Sequence, residues 1–387
     1  MSGVLGPLVI HLWEFDIVED EELSLSISPD SEFIFQVVDD DLIIDFPVPL
    51  RPGQQYLLNL SSAGINAEVR FTARFPDLVY IGQVSTNPQV WMYSMAEMNS
   101  SQLTHIQGNV LEVTSAENER SIIFLVEDEK GDREIWRAEP LGEDPELLFE
   151  CGKHYCSELS YSMNGEWIAF SLVDDDANLV ILNSSGAVEY RLPYRASEIH
   201  FSSDGKLIYF LDNRSQDLVV FNMESNVTST YACGENLIGS LSEDSKTLLF
   251  GSLDFWGGFP VTTINELSVI SGEKSELFLV EDDQMEFFTP TYSPGSDMIV
   301  LSVRDKQAGI STQLWLMDRK GILAQQVTQD YQYSHTAFKW SPDWQYLAYQ
   351  RFKIGDSEST PQVAVWDKVA NVMLVIAEDA VQPNWVP

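Results

Sequence analysis

The turn Ser341-Pro342-Asp343-Trp344 is followed one residue later by the apolar run Tyr346-Leu347-Ala348-Tyr349. A turn of this kind, joined to a strongly apolar strand, recurs along the chain, and a serine marks each copy. The marker serines are Ser162, Ser202, Ser242, Ser293 and Ser341, with a looser copy at Ser115. Successive serines lie 47, 40, 40, 51 and 48 residues apart. This period fits a four-stranded blade of a β-propeller and is too long for a leucine-rich repeat.

Each copy continues into a further strand of alternating character, such as Leu218-Val219-Val220-Phe221. Polar turns containing Asp, Asn or Gly follow most of these strands. Period-two alternation broken by such turns is typical of antiparallel strands, and no long helical periodicity interrupts it. The pattern therefore predicts an all-β protein with a β-propeller over residues 76–387.

The two ends of the array indicate how the ring of blades closes. Residues 78–104 look like a blade that lacks its first strand, whereas Asn384-Trp385-Val386 at the C-terminus looks like a first strand. An open ring would expose two unpaired strand edges. We therefore predict that the C-terminal strand completes the first blade. That gives seven blades, and six or eight stay open because several copies have drifted.

These repeats resemble those of TolB-type, WD40-like propellers, whose blades carry a Ser-Pro-Asp-Gly turn and an (Ile/Leu)-Trp-x-Met-Asp strand. Trp340-Ser341-Pro342-Asp343 and Leu314-Trp315-Leu316-Met317-Asp318 match best, and the resemblance covers roughly residues 78–387. It implies an interaction module outside the cytoplasm, although some propellers of this kind cap a peptidase domain. Such a motif is specific for fold and poor for function.

The first 75 residues have a different pattern. Leu50-Arg51-Pro52-Gly53-Gln54-Gln55-Tyr56 resembles the strand entry of bacterial Ig-like domains. Pro52-Gly53 supplies a turn, and Tyr56 begins a strand whose alternate side chains would face a sandwich core. We predict a small Ig-like β-sandwich segment over residues 1–75, followed by the propeller.

The charge balance restricts the partners. The chain has 22 Lys+Arg against 60 Asp+Glu, a net charge of −38, which repels phosphate backbones and argues against nucleic acid. No stretch approaches the roughly 20 apolar residues of a membrane helix, and residues 1–10 lack the basic region of a signal peptide. We expect a periplasmic or cell-surface protein whose targeting signal is absent from this sequence. Self-assembly stays open.

Metal and cofactor sites are not predicted. The acidic runs at 19–22, 39–41 and 174–176 lack the spacing and the glycine of an EF-hand loop, so calcium is left open rather than assigned. Cys151 and Cys156 flank a short turn and are placed to form a disulfide in an oxidising compartment. Together with His154 they would be one ligand short of a zinc site, and Cys233 is expected to be an isolated thiol.

The search for catalytic motifs gives no nucleophile elbow, no zinc-protease helix and no phosphate-binding glycine loop. The five histidines fall in separate repeats or linkers, and none is assigned a catalytic role. We predict a non-catalytic binding or scaffolding protein. Two alternatives stay open: a propeller hydrolase or lyase acting on a glycan or peptide through acidic residues at its central channel, and a structural component of a cell-surface assembly.

The candidate partner site lies on one face of the propeller. Second-to-third-strand and blade-to-blade connections share a face, and here the largest insertions fall in blades five to seven. Aromatic side chains on such loops are typical binding hot spots. The candidate residues for a protein or glycan partner are Phe255, Trp256, Phe259, Phe288, Tyr331, Tyr333 and His335. An equal alternative for Phe255, Trp256 and Phe259 is that they cover a blade edge.

Overall fold

The computed structural model describes most of the chain. The described residues are 2–4, 8–12, 23–38, 41–46, 50–62, 65–116, 121–139, 145–173, 177–232, 236–242, 244–256, 259–279, 285–293, 297–307 and 309–386. Within these ranges all the regular structure is β-strand, so the all-β prediction is confirmed. A helix with the length and apolarity to cross a membrane is absent from this described part.

Among the described residues, seven strands precede the propeller and form two sheets. They are β1 (Ser2–Val4), β2 (Leu8–His11), β3 (Ser24–Ser28), β4 (Ile34–Val38), β5 (Asp41–Asp45), β6 (Gln55–Ser62) and β7 (Ile65–Ala73). One sheet has the order β1-β7-β6-β3 and the other β2-β5-β4. Alternate residues of β6 are buried, beginning with Tyr56 and Leu58, and they share one core with Ile10 and Leu42 of the other sheet. The segment is therefore a two-sheet sandwich, and its likeness to Ig-like domains stays a prediction.

Seven four-stranded antiparallel sheets follow in the described part of the chain. Sheet one contains β8 (Asp77–Gly82), β9 (Gln89–Ser94), β10 (Asn99–Gln102) and β35 (Ala380–Val386). Sheet two contains β11 (Asn109–Ser115), β12 (Ile122–Glu127), β13 (Arg133–Ala138) and β14 (Glu146–Gly152). Sheet three contains β15 (Tyr155–Tyr161), β16 (Trp167–Val173), β17 (Ala177–Asn183) and β18 (Val188–Leu192). Sheet four contains β19 (Ala196–Phe201), β20 (Leu207–Asp212), β21 (Asp217–Asn222) and β22 (Val227–Ala232). Sheet five contains β23 (Asn236–Leu241), β24 (Thr247–Trp256), β25 (Phe259–Ser268) and β26 (Lys274–Leu279). Sheet six contains β27 (Met285–Tyr292), β28 (Met298–Asp305), β29 (Thr312–Asp318) and β30 (Leu323–Gln326). Sheet seven contains β31 (Tyr333–Trp340), β32 (Tyr346–Lys353), β33 (Gln362–Asp367) and β34 (Val372–Glu378).

The marker serine fixes the turn between the first two strands of a repeat. The hydroxyl of Ser202, which is fully buried, donates to Asp204 at 2.7 Å and accepts the N–H of Leu207 at 2.8 Å. Ser242 and Ser341 make the same two bonds. A hydroxyl that both donates and accepts in a buried turn is costly to replace, which explains why this serine recurs with the repeat.

The apolar core lies between neighbouring sheets. One cluster joins Ala169 and Ile181 of sheet three to Phe210 and Phe221 of sheet four. Each sheet is thus apolar on both faces and is covered by the sheet on either side. First strands of neighbouring sheets also contact one another, as β11 with β15, β15 with β19 and β23 with β27 do. In a propeller these strands surround a central channel.

The last strand completes the first sheet. β35 pairs antiparallel with β8, placing Asn384 opposite Val79 and Trp385 opposite Leu78. The predicted closure of the propeller by the C-terminal strand is therefore confirmed. The sandwich ends at Ala73 with β7, and the propeller begins with β8.

Candidate partner-binding face and central channel

Antiparallel order places two sets of connections on one face of the propeller. These connections link second to third strands and one sheet to the next, and we call this side the loop-rich face. The connection from β30 to β31 contacts the connection from β32 to β33. The N–H of Ile354 in the second donates to the carbonyl of Gln332 in the first at 2.8 Å. Exposed apolar side chains lie here, with Tyr331 51% and Phe352 42% exposed and Ile310 exposed between β28 and β29.

Tyr333 lies on the same face, and its ring packs on the guanidinium group of Arg351. The guanidinium carbon of Arg351 lies 4.1 Å from the centre of the Tyr333 ring. Arg351 is buried, donates through Nε to Gln362 at 2.7 Å and lies 3.6 Å from a carboxylate oxygen of Asp330. Because these contacts hold the cation in place, the aromatic ring above it is held as well. The ring of Tyr333 is therefore fixed in position on this face.

His335 occupies a different place from its neighbours in sequence. It is fully buried in β31, and its Nδ1 lies 2.9 Å from the carbonyl oxygen of Thr312, so Nδ1 carries the proton. Burial lowers the pKa of His335 to about 4, opposed by the bond to Thr312 and assisted by the positive charge of Arg351. The neutral ring packs edge-on against Tyr349 at 5.5 Å. His335 therefore supports the face from below and does not itself reach a partner.

The insertion in sheet five is an arm of two strands. β24 pairs with β23 only as far as Ser252, and β25 pairs with β26 only as far as Thr263. Beyond these residues β24 and β25 pair, among the described residues, only with each other, up to Trp256 opposite Phe259. The main chain thus places Phe255, Trp256 and Phe259 at the tip of an arm on the loop-rich face, and their side chains lie outside the described structure.

Phe288 lies on the same face in β27. It is half-buried, and the guanidinium carbon of Arg304 lies 5.2 Å from its ring centre. Arg304 also pairs with Glu286 at 3.0 Å. Phe288 is therefore part of a stacked pair resembling that of Tyr333 and Arg351, in the neighbouring sheet.

Cys151 and Cys156 are joined by an S–S bond of 2.05 Å, which links β14 of sheet two to β15 of sheet three. Arg133 donates to the carbonyl of Cys156 at 2.7 Å and lies 4.0 Å from the ring centre of Tyr155. A third aromatic ring is thus held beside an arginine on the loop-rich face, away from sheets six and seven. The acidic runs at 19–22 and 174–176, residues 39 and 40, and Cys233 lie outside the described residues.

The central channel is lined by a bulge in each first strand. In every sheet two residues of the first strand stand opposite one residue of the second. In six sheets the first residue of the bulge is Glu158, Glu198, Gly239, Thr289, Ala337 or Gln382, and in sheet two the bulge lies between Val110 and Glu112. Five of the non-glycine residues have positive φ, from 45° to 60°. Such backbone needs support from its surroundings.

Side chains at the bulges supply that support from sheet to sheet. Gln382 accepts the N–H of Val113 and donates to the carbonyl of Leu111, both at 3.2 Å. The carboxylate of Glu112 accepts the N–H groups of Glu158 and Leu159, at 3.1 and 2.7 Å. Burial raises the pKa of Glu112, and these two bonds oppose the rise. The channel carboxylate is therefore engaged in joining sheets.

This series of sheet-to-sheet hydrogen bonds continues with Glu158 and ends at Glu198. Glu158 accepts the N–H of Glu198 at 3.1 Å, whereas the Glu198 carboxylate lies 4.0 Å from Nε2 of His200. Burial lowers the pKa of His200, and the positive charge of Lys339 lowers it further, so the ring is neutral. Among the described residues no three His, Cys, Asp or Glu side chains are grouped to hold a metal ion.

Comparison with known proteins finds solved structures with a similar fold. No protein-family model and no curated protein matches the chain. The β-propeller domain of the Trilobed protease from Pyrococcus furiosus aligns at a TM-score of 0.56 and 11% identity, over 70% of this chain and 86% of that one. A prolyl endopeptidase aligns at 0.58 and 9% identity, over 86% of this chain but only 49% of the peptidase. TolB from Acinetobacter baumannii aligns at 0.49 and 13% identity, over 88% and 81%.

At such low identity these likenesses concern the fold alone. The chain has a β-propeller fold, as its repeat motif predicted. Non-catalytic and catalytic proteins both occur on this fold, so the activity has to be argued from the site.

Sequence reasoning missed Ile310, Phe352 and Arg351 on the loop-rich face. The length of the insertions at 304–312 and 352–361 was the available signal, since exposed side chains collect on long connections. No sequence pattern indicated that Arg351 is buried, because arginine is seldom buried. Its burial here depends on partners that are distant in the sequence.

Proposed function

We propose that the protein is a non-catalytic binding or scaffolding protein that works outside the cytoplasm. Its partner, a protein or a glycan, docks on the loop-rich face at sheets five to seven. The observation that carries the proposal is the pair of exposed rings, Tyr331 and Phe352, beside the fixed stack of Tyr333 on Arg351. Exposed aromatic groups on a rigid base lose little conformational entropy on binding.

Two further features support this proposal. The disulfide between Cys151 and Cys156 is the kind of bond that persists in an oxidising compartment. The net charge of −38 favours a partner with basic groups and speeds its approach. Two of the channel carboxylates, Glu112 and Glu158, accept backbone N–H groups of the next sheet, which favours a structural role for these two side chains.

The test is affinity capture from the source cells with the purified chain as bait. Wild type is compared with a Tyr331→Ala/Phe352→Ala double variant and with Tyr155→Ala as the matched control. Tyr155 is also exposed and also stacks on an arginine, but at sheets two and three. We expect the double variant to bind the captured partner about tenfold more weakly, about 1.4 kcal/mol, and Tyr155→Ala to bind it as wild type does.

Thermal unfolding provides the check on the fold. All three proteins should unfold at the same temperature, because the substituted side chains are exposed. Equal loss of binding in Tyr155→Ala, or no loss in the double variant, would place the partner elsewhere.

A further inference from the structure

The central channel carries opposite charges on opposite sides. Its acidic side is formed by Glu112, Glu158 and Glu198, on the first strands of sheets two, three and four. The first strands of the seven described sheets contain a single Lys or Arg, which is Lys339 in sheet seven. Core clusters join each sheet to the next, so sheets five and six separate sheets four and seven in one direction, and sheets one to three in the other. Lys339 therefore lies across the channel from Glu198.

His200 in sheet four and Lys339 in sheet seven occupy equivalent positions. Each is the first residue after the bulge that pairs with the second strand of its sheet. The same position in sheets one, three, five and six is uncharged and holds Asn384, Ser160, Leu241 and Thr291. Burial lowers the pKa of His200, and the positive charge of Lys339 lowers it further. The ammonium group of Lys339 therefore acts across the channel on a side chain of sheet four.

Three polar groups in this part of the channel are free to bind a ligand. Unlike the carboxylate of Glu158, that of Glu198 accepts no main-chain N–H group among the described residues, and 48% of its side chain is exposed. Lys339 is exposed and forms no ion pair in the described part of the chain. The ring of His200 stacks on that of Tyr209 at 5.2 Å, and its nitrogens make no hydrogen bond to described residues. A carboxylate, an ammonium group and a neutral imidazole are thus available together.

We infer that the central channel binds a small zwitterion, with its ammonium group at Glu198 and its carboxylate at Lys339. Hydrogen bonds between charged groups are shorter and stronger than those between neutral groups. An anion without an ammonium group would be repelled by the three channel carboxylates, and a cation without a carboxylate would leave Lys339 unpaired. The neutral ring of His200 does not repel the ammonium group and can form a hydrogen bond with the ligand. This site is separate from the loop-rich face.

Isothermal titration calorimetry with linear amino acids of increasing length tests this site. The probes are glycine, β-alanine, γ-aminobutyrate and ε-aminohexanoate, each compared with the amine that lacks its carboxylate and the acid that lacks its amino group. We expect one length to bind best, about tenfold more tightly than its amine or its acid, because only the zwitterion pairs with both charges. Nuclear magnetic resonance of ¹³C-labelled histidine locates the site. The signal of His200 should shift, and those of the exposed His105 and His154 should not.

Two variants assign the charges of the ligand. Lys339→Met should bind the best amino acid no more tightly than its amine, and Glu198→Gln should bind it no more tightly than its acid. The matched controls are Lys206→Met and Glu224→Gln, which make the same charge changes in an ion pair of 2.7 Å outside the channel and should bind as wild type does. Circular dichroism checks the fold, and Lys339→Gln and Glu198→Asn replace either variant if it unfolds.

Three results would overturn the inference. In the first, no probe binds wild type or shifts the His200 signal, and Lys339 then only balances the channel carboxylates. In the second, the amine or the acid binds as tightly as the amino acid. In the third, Lys206→Met weakens binding as much as Lys339→Met does, so that the effect follows from net charge alone.

Discussion

The indole Nε1 of Trp385 donates a hydrogen bond to the carbonyl oxygen of Lys339 across 2.9 Å. Lys339 belongs to the first strand of sheet seven, whereas Trp385 belongs to the strand that completes sheet one. The Trp385 ring is buried and lies 6.0 Å from that of Tyr346. One side chain near the C-terminus therefore joins the two sheets between which the ring closes.

Replacing Trp385 should weaken the whole propeller. Trp385→Ala removes a large buried side chain, and we expect the free energy of unfolding to fall by about 3–5 kcal/mol. Trp385→Phe keeps most of the packing and loses the hydrogen bond, so the loss should be smaller. Urea unfolding measures both. The exposed Tyr331→Ala should change stability by less than about 0.5 kcal/mol, and an equal loss there would contradict the assigned role of Trp385.

Asp343 makes stability depend on pH in a direction that can be checked. Its Oδ1 accepts from the Ser341 hydroxyl and from the N–H of Gln345, whereas its buried Oδ2 has no partner among the described residues. Burial raises the pKa of Asp343 above 3.8. The folded state therefore holds this proton more tightly than the unfolded state, and the contribution to stability rises as the pH falls from neutral towards 3.8.

Asp343→Asn isolates this contribution, and the chain already uses asparagine at the equivalent Asn164, which accepts the Ser162 hydroxyl at 2.8 Å. We expect wild type to gain stability relative to Asp343→Asn as the pH falls from about 7 to about 4. Urea unfolding at the two pH values gives the difference. Parallel pH dependence of the two proteins would show that Asp343 does not titrate as described.

The disulfide should stabilise the junction of sheets two and three. Its cysteines are 5 residues apart, and closing so short a loop is worth about 2 kcal/mol in the chain-entropy account. A Cys151→Ala/Cys156→Ala variant should lose about that much, and a reducing agent should lower the stability of wild type but not that of the variant. Thiol titration of the unreduced, denatured protein should find one thiol of the 3 cysteines. Three reactive thiols would contradict the bond.

The propeller could be predicted because its signal is local and repeated. The marker serine and its acidic or amide partner lie two residues apart, as in Ser202 and Asp204, so the turn is visible in the sequence. The closing strand was predictable for the same reason, since residues 384–386 repeat a first strand. Repetition supplies several independent readings of one structure.

Other features depend on contacts that the sequence does not display. His335 follows aromatic loop residues, but β31 already begins at Tyr333, and the strand carries His335 into the interface with sheet six. The channel bulges share no residue type. The first bulge residue is Glu198 in sheet four and Gly239 in sheet five. At Gly239 a Cβ would lie 1.9 Å from the carbonyl oxygen of Pro290, so the neighbouring sheet decides the residue there.

Hydrogen exchange at the C-terminal strand tests the ring most directly. If residues 380–386 complete sheet one, their amides should exchange as slowly as those of β8 in the native protein, and far more slowly than those of the connection at 354–361. Exchange of 380–386 as fast as that connection would show a free C-terminus and an open propeller.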